Sequence, residues 1–206
     1  MRSIIWDMGG TLVDTYGDVD RALAEAAIGK TDDESLREVA QLTRISSSHA
    51  IKELSDRYDV PQEDLREAYT ALKERWRAHP APVMDGTREV MEAVKAGGGL
   101  NLLATHRDRD SAQVLLDALG IEMDDMVCAP DGHARKPDPA MNLLLLERHD
   151  LQPSQVVAVG DRPGDIQAAR AAGLEAALLA TPGIPQDAEG AVRITDLREL
   201  LPLLRG

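Results

Sequence analysis

Residues 3–14 read Ser3-Ile4-Ile5-Trp6-Asp7-Met8-Gly9-Gly10-Thr11-Leu12-Val13-Asp14, a short, largely apolar run that stops on a carboxylate and passes into a glycine-bearing turn. A brief run of this kind, with no polar alternation, is what a strand buried on both faces requires. The pattern returns at Leu100–Ala104, Met126–Ala129 and Val156–Val159, and more weakly at Glu175–Leu179, each bounded by Gly, Asp or Pro. Helical periodicity fills the gaps. Val83–Ala96 repeats apolar residues at Val90, Met91 and Val94 and stops at Gly97–Gly98–Gly99, Ser111–Leu119 ends at Gly120, Pro139–Arg148 follows a proline, and Gly164–Ala172 stops at Gly173. Thr195 is the expected N-cap of a last helix through Leu204. Strands alternating with helices predict an α/β fold with a Rossmann-like parallel sheet.

The rhythm breaks between Thr15 and Pro82, where the periodicity is helical only: Val19–Ile28, Asp33–Ile45, His49–Tyr58 and Gln62–His79. The expected organisation is therefore a core from residues 1–14 and 83–206, with an all-helical cap at 15–82 inserted after the first strand. His79-Pro80-Ala81-Pro82 makes a stiff return hinge. No internal repeat or low-complexity tract interrupts this reading.

Composition sets the class. The 206 residues are 43% hydrophobic and 29% charged, with no Phe, so the core is expected to be built from Leu, Val, Ile, Ala and Met. A formal charge of −13 argues against nucleic acid or an anionic membrane as partner, because both need a basic footprint. It still permits a phosphorylated small molecule if a local cation reverses the field at the site. The single Cys128 excludes an internal disulfide, and its apolar neighbours Met126, Val127 and Ala129 suggest a small core residue. No run approaches the roughly 18 apolar residues of a membrane helix, and the residues before Asp7 are too few for a signal peptide, so a cytoplasmic location is expected.

In open α/β sheets ligands bind outside the carboxyl ends of the strands. Asp7 follows the first predicted strand, Thr105 the second, Lys136 the third, and Asp161 with Asp165 the fourth. Singly, each is ordinary: an Asp after a strand caps a turn, and a lone Lys is solvated. Together they are the types that metal-assisted phosphoryl transfer needs. One carboxylate attacks phosphorus, others hold a hard cation, and a hydroxyl and an ammonium meet the phosphoryl oxygens.

At these residues the sequence resembles the haloacid dehalogenase superfamily over nearly its whole length. Asp7-Met8-Gly9-Gly10-Thr11-Leu12-Val13-Asp14 looks like the first motif, usually Asp-x-Asp-Gly-Thr-Leu-Val-Asp. Leu102-Leu103-Ala104-Thr105 is similar to the second, Arg135-Lys136-Pro137-Asp138-Pro139 to the third, and Val159-Gly160-Asp161-Arg162-Pro163-Gly164-Asp165 to the fourth. The helical insertion resembles the cap of the phosphoglycolate phosphatase-like branch. The resemblance implies a hydrolase acting on a small phosphorylated metabolite through an aspartyl phosphate on Asp7. It also implies Mg²⁺ held by Asp7, the Gly9 carbonyl, Asp161 and Asp165. Thr105 and Lys136 would bind phosphoryl oxygens, with Gly10 and His106 in the same phosphate pocket.

Gly9 departs from the family pattern. Phosphatases of this family carry there a second Asp that protonates the leaving oxygen and later deprotonates water; glycine has no side chain to do either. General acid–base catalysis contributes roughly 10² to 10⁴ in rate. Three readings follow: substrates such as acyl or aryl phosphates whose leaving groups need little protonation; a proton from another group, with His106 first, then His49 and His133; or binding of phosphorylated ligands without turnover. Phosphonoacetaldehyde hydrolases carry a small residue at this position and use a cap lysine as a Schiff base, for which Lys52 is the candidate. The 2-haloacid dehalogenases use no magnesium and typically place Tyr there, which Gly9 does not match. A signalling receiver domain shares the residue types but has its acidic pair near the first strand and no long cap.

In the cap, Ser46-Ser47-Ser48-His49 opens a helix whose free N–H groups make a small anion site, so Arg44, Ser47, Ser48 and His49 are candidate substrate contacts. Arg107 and Arg162 flank the motif residues, as substrate contacts or as partners of a nearby carboxylate. Gly97–Gly99 follows a helix and precedes a strand, which suits a helix stop rather than a phosphate loop. Gly29-Lys30 lacks the upstream glycine of a P-loop.

Overall fold

The computed structural model describes residues 2–205. The chain divides into two compact units, one running to Val13 and resuming at Val83, the other formed by Asp14–Pro82.

In the first unit the apolar runs become β1 (Ser3–Trp6), β2 (Asn101–Thr105), β3 (Asp125–Cys128), β4 (Val156–Gly160) and β5 (Glu175–Leu179), joined by β6 (Val192–Ile194). They form a parallel sheet in the order β3-β2-β1-β4-β5-β6. Successive strands build outward from β1 in both directions, so the order reverses between β1 and β4, where α/β sheets bind ligands. Helices α5 (Thr87–Ala96), α6 (Arg109–Leu119), α7 (Ala140–Arg148) and α8 (Pro163–Ala171) connect the strands. Ile5, Leu102, Val127 and Ala158 from the sheet pack with Met141, Leu145, Ile166 and Ala169 from α7 and α8 in one buried cluster. Full burial of each large aliphatic side chain is worth about 1.5–3 kcal/mol. Cys128 is buried in β3, and burial pushes its thiol up to about 11, so it behaves as a core residue.

The polar residue that opens β2 is satisfied within the core. Asn101 Oδ1 accepts from the Trp6 indole N–H at 3.1 Å, and its Nδ2 donates to the Met91 carbonyl at 3.1 Å. Two sequence expectations need correction. β6 carries Arg193 and is exposed over Val192 and Arg193; it is a short sheet-edge strand with no apolar run to announce it. The last helix is not capped by Thr195. Asp196 caps a 3₁₀ turn at Leu197–Glu199, and only α9 (Leu200–Leu203) follows.

The second unit contains α1 (Tyr16–Ile28), α2 (Asp33–Thr43), α3 (Ser47–Tyr58) and α4 (Gln62–Ala78). The Asp32 side chain caps α2 through the Ser35 N–H, and Ser46 caps α3 through the His49 N–H. Val19, Leu23, Val39, Leu54, Leu65, Leu72 and Trp76 are buried. The Trp76 indole N–H donates to Asp18 at 2.8 Å. Among the described residues no helix is long and apolar enough to cross a membrane.

Candidate active site

The sheet ladder fixes the backbone of Asp7, whose N–H donates to the Val159 carbonyl of β4 at 2.9 Å. The chain then folds back tightly, with Gly10 donating to Val13 O at 2.8 Å and Val13 donating to Met8 O at 2.9 Å. Gly10 takes φ 88°, a left-handed conformation that favours glycine. The turn carries the Thr11 hydroxyl to Asp161, the first residue after β4, where it donates to Oδ1 at 3.0 Å with both residues buried.

Asp165 stands in the first turn of α8, where its Oδ2 accepts from the Arg162 N–H at 3.0 Å. This brings its side chain against Gly160, where a Cβ in place of hydrogen would lie 2.3 Å from the Asp165 Cβ. No residue with a side chain fits there, which accounts for the glycine at the end of β4. Lys136 arrives from the segment between β3 and α7. Its ammonium donates to Asp7 Oδ1 and Asp165 Oδ1, each at 2.7 Å.

The carboxylates of Asp7, Asp161 and Asp165 each offer an oxygen, and these oxygens lie within 4.8 Å of one another. Three carboxylates face one ammonium, which leaves an excess of negative charge in a largely buried place. Burial is the main cause that pushes Asp7 up to about 7; Asp165 and Asp161 add to it, and Lys136 opposes it. Burial also raises the Asp165 carboxyl, but Lys136 and Arg162 outweigh it and hold it below the usual range. Burial alone would lower Lys136, yet Asp165 and Asp7 hold its ammonium above the usual range. Of the two carboxylates on Lys136, Asp7 is thus the one driven toward its neutral form, by burial first and by two like charges second. A hard divalent cation among these oxygens would neutralise the like charges and favour the ionised form against burial, and an all-oxygen carboxylate set is the kind Mg²⁺ takes. The residues fit such an ion.

Thr105 ends β2 and is buried; its Oγ1 accepts from the Arg107 N–H at 3.1 Å. His106 does not stand ready as a proton source. Its Nε2 accepts from the Lys136 backbone N–H at 2.8 Å, and burial, Lys136 and Arg135 push its pKa down to about 4. The ring is neutral at ordinary pH, and its Nε2 holds the lysine segment. Arg162 lies 3.8 Å from Asp161 Oδ2, and Arg107 donates to the Ser111 hydroxyl at 3.0 Å.

The structure thus brings together Asp7, Lys136, Asp161 and Asp165, with Gly9, Gly10, Thr105 and His106 on the same unit. Arg44, Ser47, Ser48 and His49 belong to the helical unit. Ser47, Ser48 and His49 form the first turn of α3. Arg44, expected to contact a substrate anion, is buried, and its Nη1 donates to both carboxylate oxygens of Asp20 at 2.9 and 2.7 Å. A guanidinium out of water needs such a partner, and the Tyr16 ring lies 3.5 Å from its carbon. Lys52 is exposed and paired with Asp56 at 2.7 Å, which holds its ammonium above its ordinary value. A Schiff-base lysine needs the opposite shift.

Sequence reasoning missed Thr11 and Gln186 as site residues. Thr11 lies inside the first motif, and that position is its only signal in the sequence. Gln186, which donates to the Asp161 carbonyl at 2.5 Å, comes from the loop after β5 and has none.

A family model described as haloacid dehalogenase-like hydrolase matches residues 1–173. Among curated proteins, the chain is 29% identical to a phosphoglycolate phosphatase of Pseudomonas putida, over 98% of this chain and 79% of that protein. It is 30% identical to a phosphorylated carbohydrates phosphatase of Thermotoga maritima, over 85% of this chain and 83% of the other. Among solved structures, a hydrolase from Streptococcus pneumoniae TIGR4 is 28% identical with a TM-score of 0.69, covering 100% of this chain and 98% of that one. A HAD family hydrolase from Deinococcus radiodurans R1, solved with bound phosphate and sodium, shares the fold at 21% identity and a TM-score of 0.77, over 98% and 93% of the two chains.

Proposed function

The chain belongs to the haloacid dehalogenase-like hydrolases, and from that membership we propose a Mg²⁺-dependent phosphatase that acts on small phosphorylated metabolites with acidic leaving groups. The observation that carries this reading is the Lys136 ammonium bonded to both Asp7 and Asp165 at 2.7 Å beside Asp161. Two curated relatives, phosphatases of phosphoglycolate and of phosphorylated carbohydrates, support a small phosphorylated metabolite as substrate; the preference for an acidic leaving group rests on Gly9 alone.

Lys136 holds one oxygen of Asp7, and the other, Oδ2, carries no hydrogen bond among the described residues. That oxygen attacks phosphorus and forms an aspartyl phosphate as the bond to the leaving oxygen breaks. Water then attacks the phosphorus of this acyl phosphate, its protons stay with the released phosphate, and Asp7 departs as its own carboxylate. The Thr105 hydroxyl and the Lys136 ammonium meet the phosphoryl oxygens, where charge develops. Asp7, the Gly9 carbonyl, Asp161 and Asp165 would hold Mg²⁺, which supplies charge neutralisation at the phosphoryl group. His106 acts by fixing the backbone of Lys136 and gives no proton. Gly9 brings no acid to the leaving oxygen, so the leaving group must depart as a stable anion, as a carboxylate or an acidic phenolate does. The helical unit is assigned the selection of substrate as a cap, through Ser47, Ser48 and His49 in the first turn of α3.

Gly9 also favours a second reading, a protein that binds phosphorylated ligands and does not turn them over. Phosphate release from acetyl phosphate, p-nitrophenyl phosphate and phosphoglycolate, with Mg²⁺ and with EDTA, separates the two. Mg²⁺-dependent rates that climb steeply with leaving-group acidity, and vanish in Asp7→Asn, are expected. Release from none of the three, with ligand binding intact, would select the second reading.

A further inference from the structure

Resting on the metal site of that reading, we propose that Gln186 is a positioning residue. Its carboxamide ties the loop after β5 to the peptide of Asp161 and so holds that carboxylate where a divalent cation needs it. β4 and β5 are paired through Gly160 and Leu178, and beyond that pair the two chains leave the ladder. Gln186 inserts where they part. Its Oε1 accepts from the Thr181 N–H at 3.0 Å, and its Nε2 donates to the Asp161 carbonyl at 2.5 Å. The assignment of oxygen and nitrogen follows from the partners, since an N–H can only face the oxygen and a carbonyl only the nitrogen. The side-chain amide thus stands in for a peptide group between two diverging strands.

Gln186 is itself anchored, because its own carbonyl accepts from Arg193 Nη1 at 2.9 Å, and Arg193 lies in β6. Asp161 is consequently held from two sides, its side chain by Thr11 and its backbone by Gln186. A carboxylate ligand is useful only when held to within about 0.5 Å of its working position, and the groups that orient ligands govern affinity nearly as much as the ligands do. Few residues can replace Gln186. The bridge needs a donor and an acceptor on one planar head, and Asn is a methylene too short to span both loops.

The test is Mg²⁺ binding by isothermal titration calorimetry to the full chain and to Gln186→Met, which keeps side-chain length and removes the polar head. The expected result is a Kd for Mg²⁺ raised roughly tenfold, with kcat restored at saturating Mg²⁺ and KM for p-nitrophenyl phosphate unchanged. Gln186→Asn, which keeps the polar head but cannot reach both partners, is expected to shift Kd in the same direction. Gln167→Met is the control. Gln167 donates to Glu189 at 2.6 Å and so ties the same loop to α8 without reaching Asp161; its Kd should match wild type. A wild-type Kd in Gln186→Met, or an equal loss in Gln167→Met, overturns the proposal and leaves the phosphatase reading standing. A wild-type chain that binds no Mg²⁺ overturns both.

Discussion

The Thr11 hydroxyl donates to Asp161 Oδ1 at 3.0 Å, so the turn that follows Asp7 also holds the carboxylate that follows β4. Two segments separated by most of the chain are thereby locked to one geometry at the point where the strand order reverses. Thr11→Val keeps the shape and removes the donor, so the buried Asp161 carboxylate loses one of the hydrogen bonds that orient it. The expected outcome is Mg²⁺ affinity reduced about 10- to 100-fold, with Thr11→Ser close to wild type. Calorimetric titration of Mg²⁺ against the three proteins checks it.

Lys136 bonds to two carboxylates, and its side chain is only 5% exposed. Lys136→Met leaves Asp7, Asp161 and Asp165 without their ammonium, and breaking a buried ion pair in this way costs about 3–5 kcal/mol. Unfolding by urea in EDTA should show that loss. Saturating Mg²⁺ should recover much of it, because a cation that binds only the folded chain stabilises it by mass action. Turnover should stay lost in either buffer, since no ammonium meets the phosphoryl oxygens. A variant as stable as wild type in EDTA would refute this account of the lysine.

His106 gives a pH dependence of defined sign. Its pKa falls from an ordinary 6.5 to about 4 in the folded chain, so protons bind the unfolded chain preferentially. Its contribution to stability is complete above pH 6.5 and declines as pH falls toward 4. The full shift corresponds to about 3 kcal/mol, but solvent screens the half-buried ring, so a loss of about 1–2 kcal/mol is expected. His106→Gln keeps an acceptor for the Lys136 N–H and cannot titrate. Urea unfolding of both proteins at pH 7 and pH 5 should show a smaller acid-side loss in the variant.

The α/β class was legible because β1 to β4 are buried along nearly all their lengths, which leaves runs such as Ile4-Ile5-Trp6 and Val156-Val157-Ala158-Val159 uninterrupted. Where polarity intrudes, boundaries slipped: the second strand begins at Asn101, not Leu100, and extends through Thr105. Asn101 is a strand residue because Trp6, remote in sequence, and Met91, in the preceding helix, satisfy its carboxamide, and no alternation in the run announces either contact. The residue types at the strand ends were legible for the same reason as the strands. Which of them touch was not. That His106 grips the Lys136 backbone, that Arg44 pairs with Asp20 and that Gln186 reaches Asp161 depend on loops closing across the fold, and no local pattern encodes that closure.

Gly9 offers the sharpest prediction, a gain of activity. Unlike Gly10, it does not take a positive φ, so its backbone accepts an L side chain without left-handed strain. Gly9→Asp places a carboxyl group two residues beyond Asp7, where the family's first motif usually carries an aspartate. Substrates whose leaving groups are poor, such as alkyl phosphates, should gain up to the roughly 10²- to 10⁴-fold that general acid catalysis provides. Acyl phosphates already depart as stable carboxylates, so the step in which Asp7 takes their phosphoryl group should change little. The steep dependence of rate on leaving-group acidity should therefore flatten in the variant, measured as phosphate release across a series of aryl and alkyl phosphates at fixed Mg²⁺. If the slope is the same in both proteins, proton supply does not limit the natural chain, and the preference for acidic leaving groups must be abandoned.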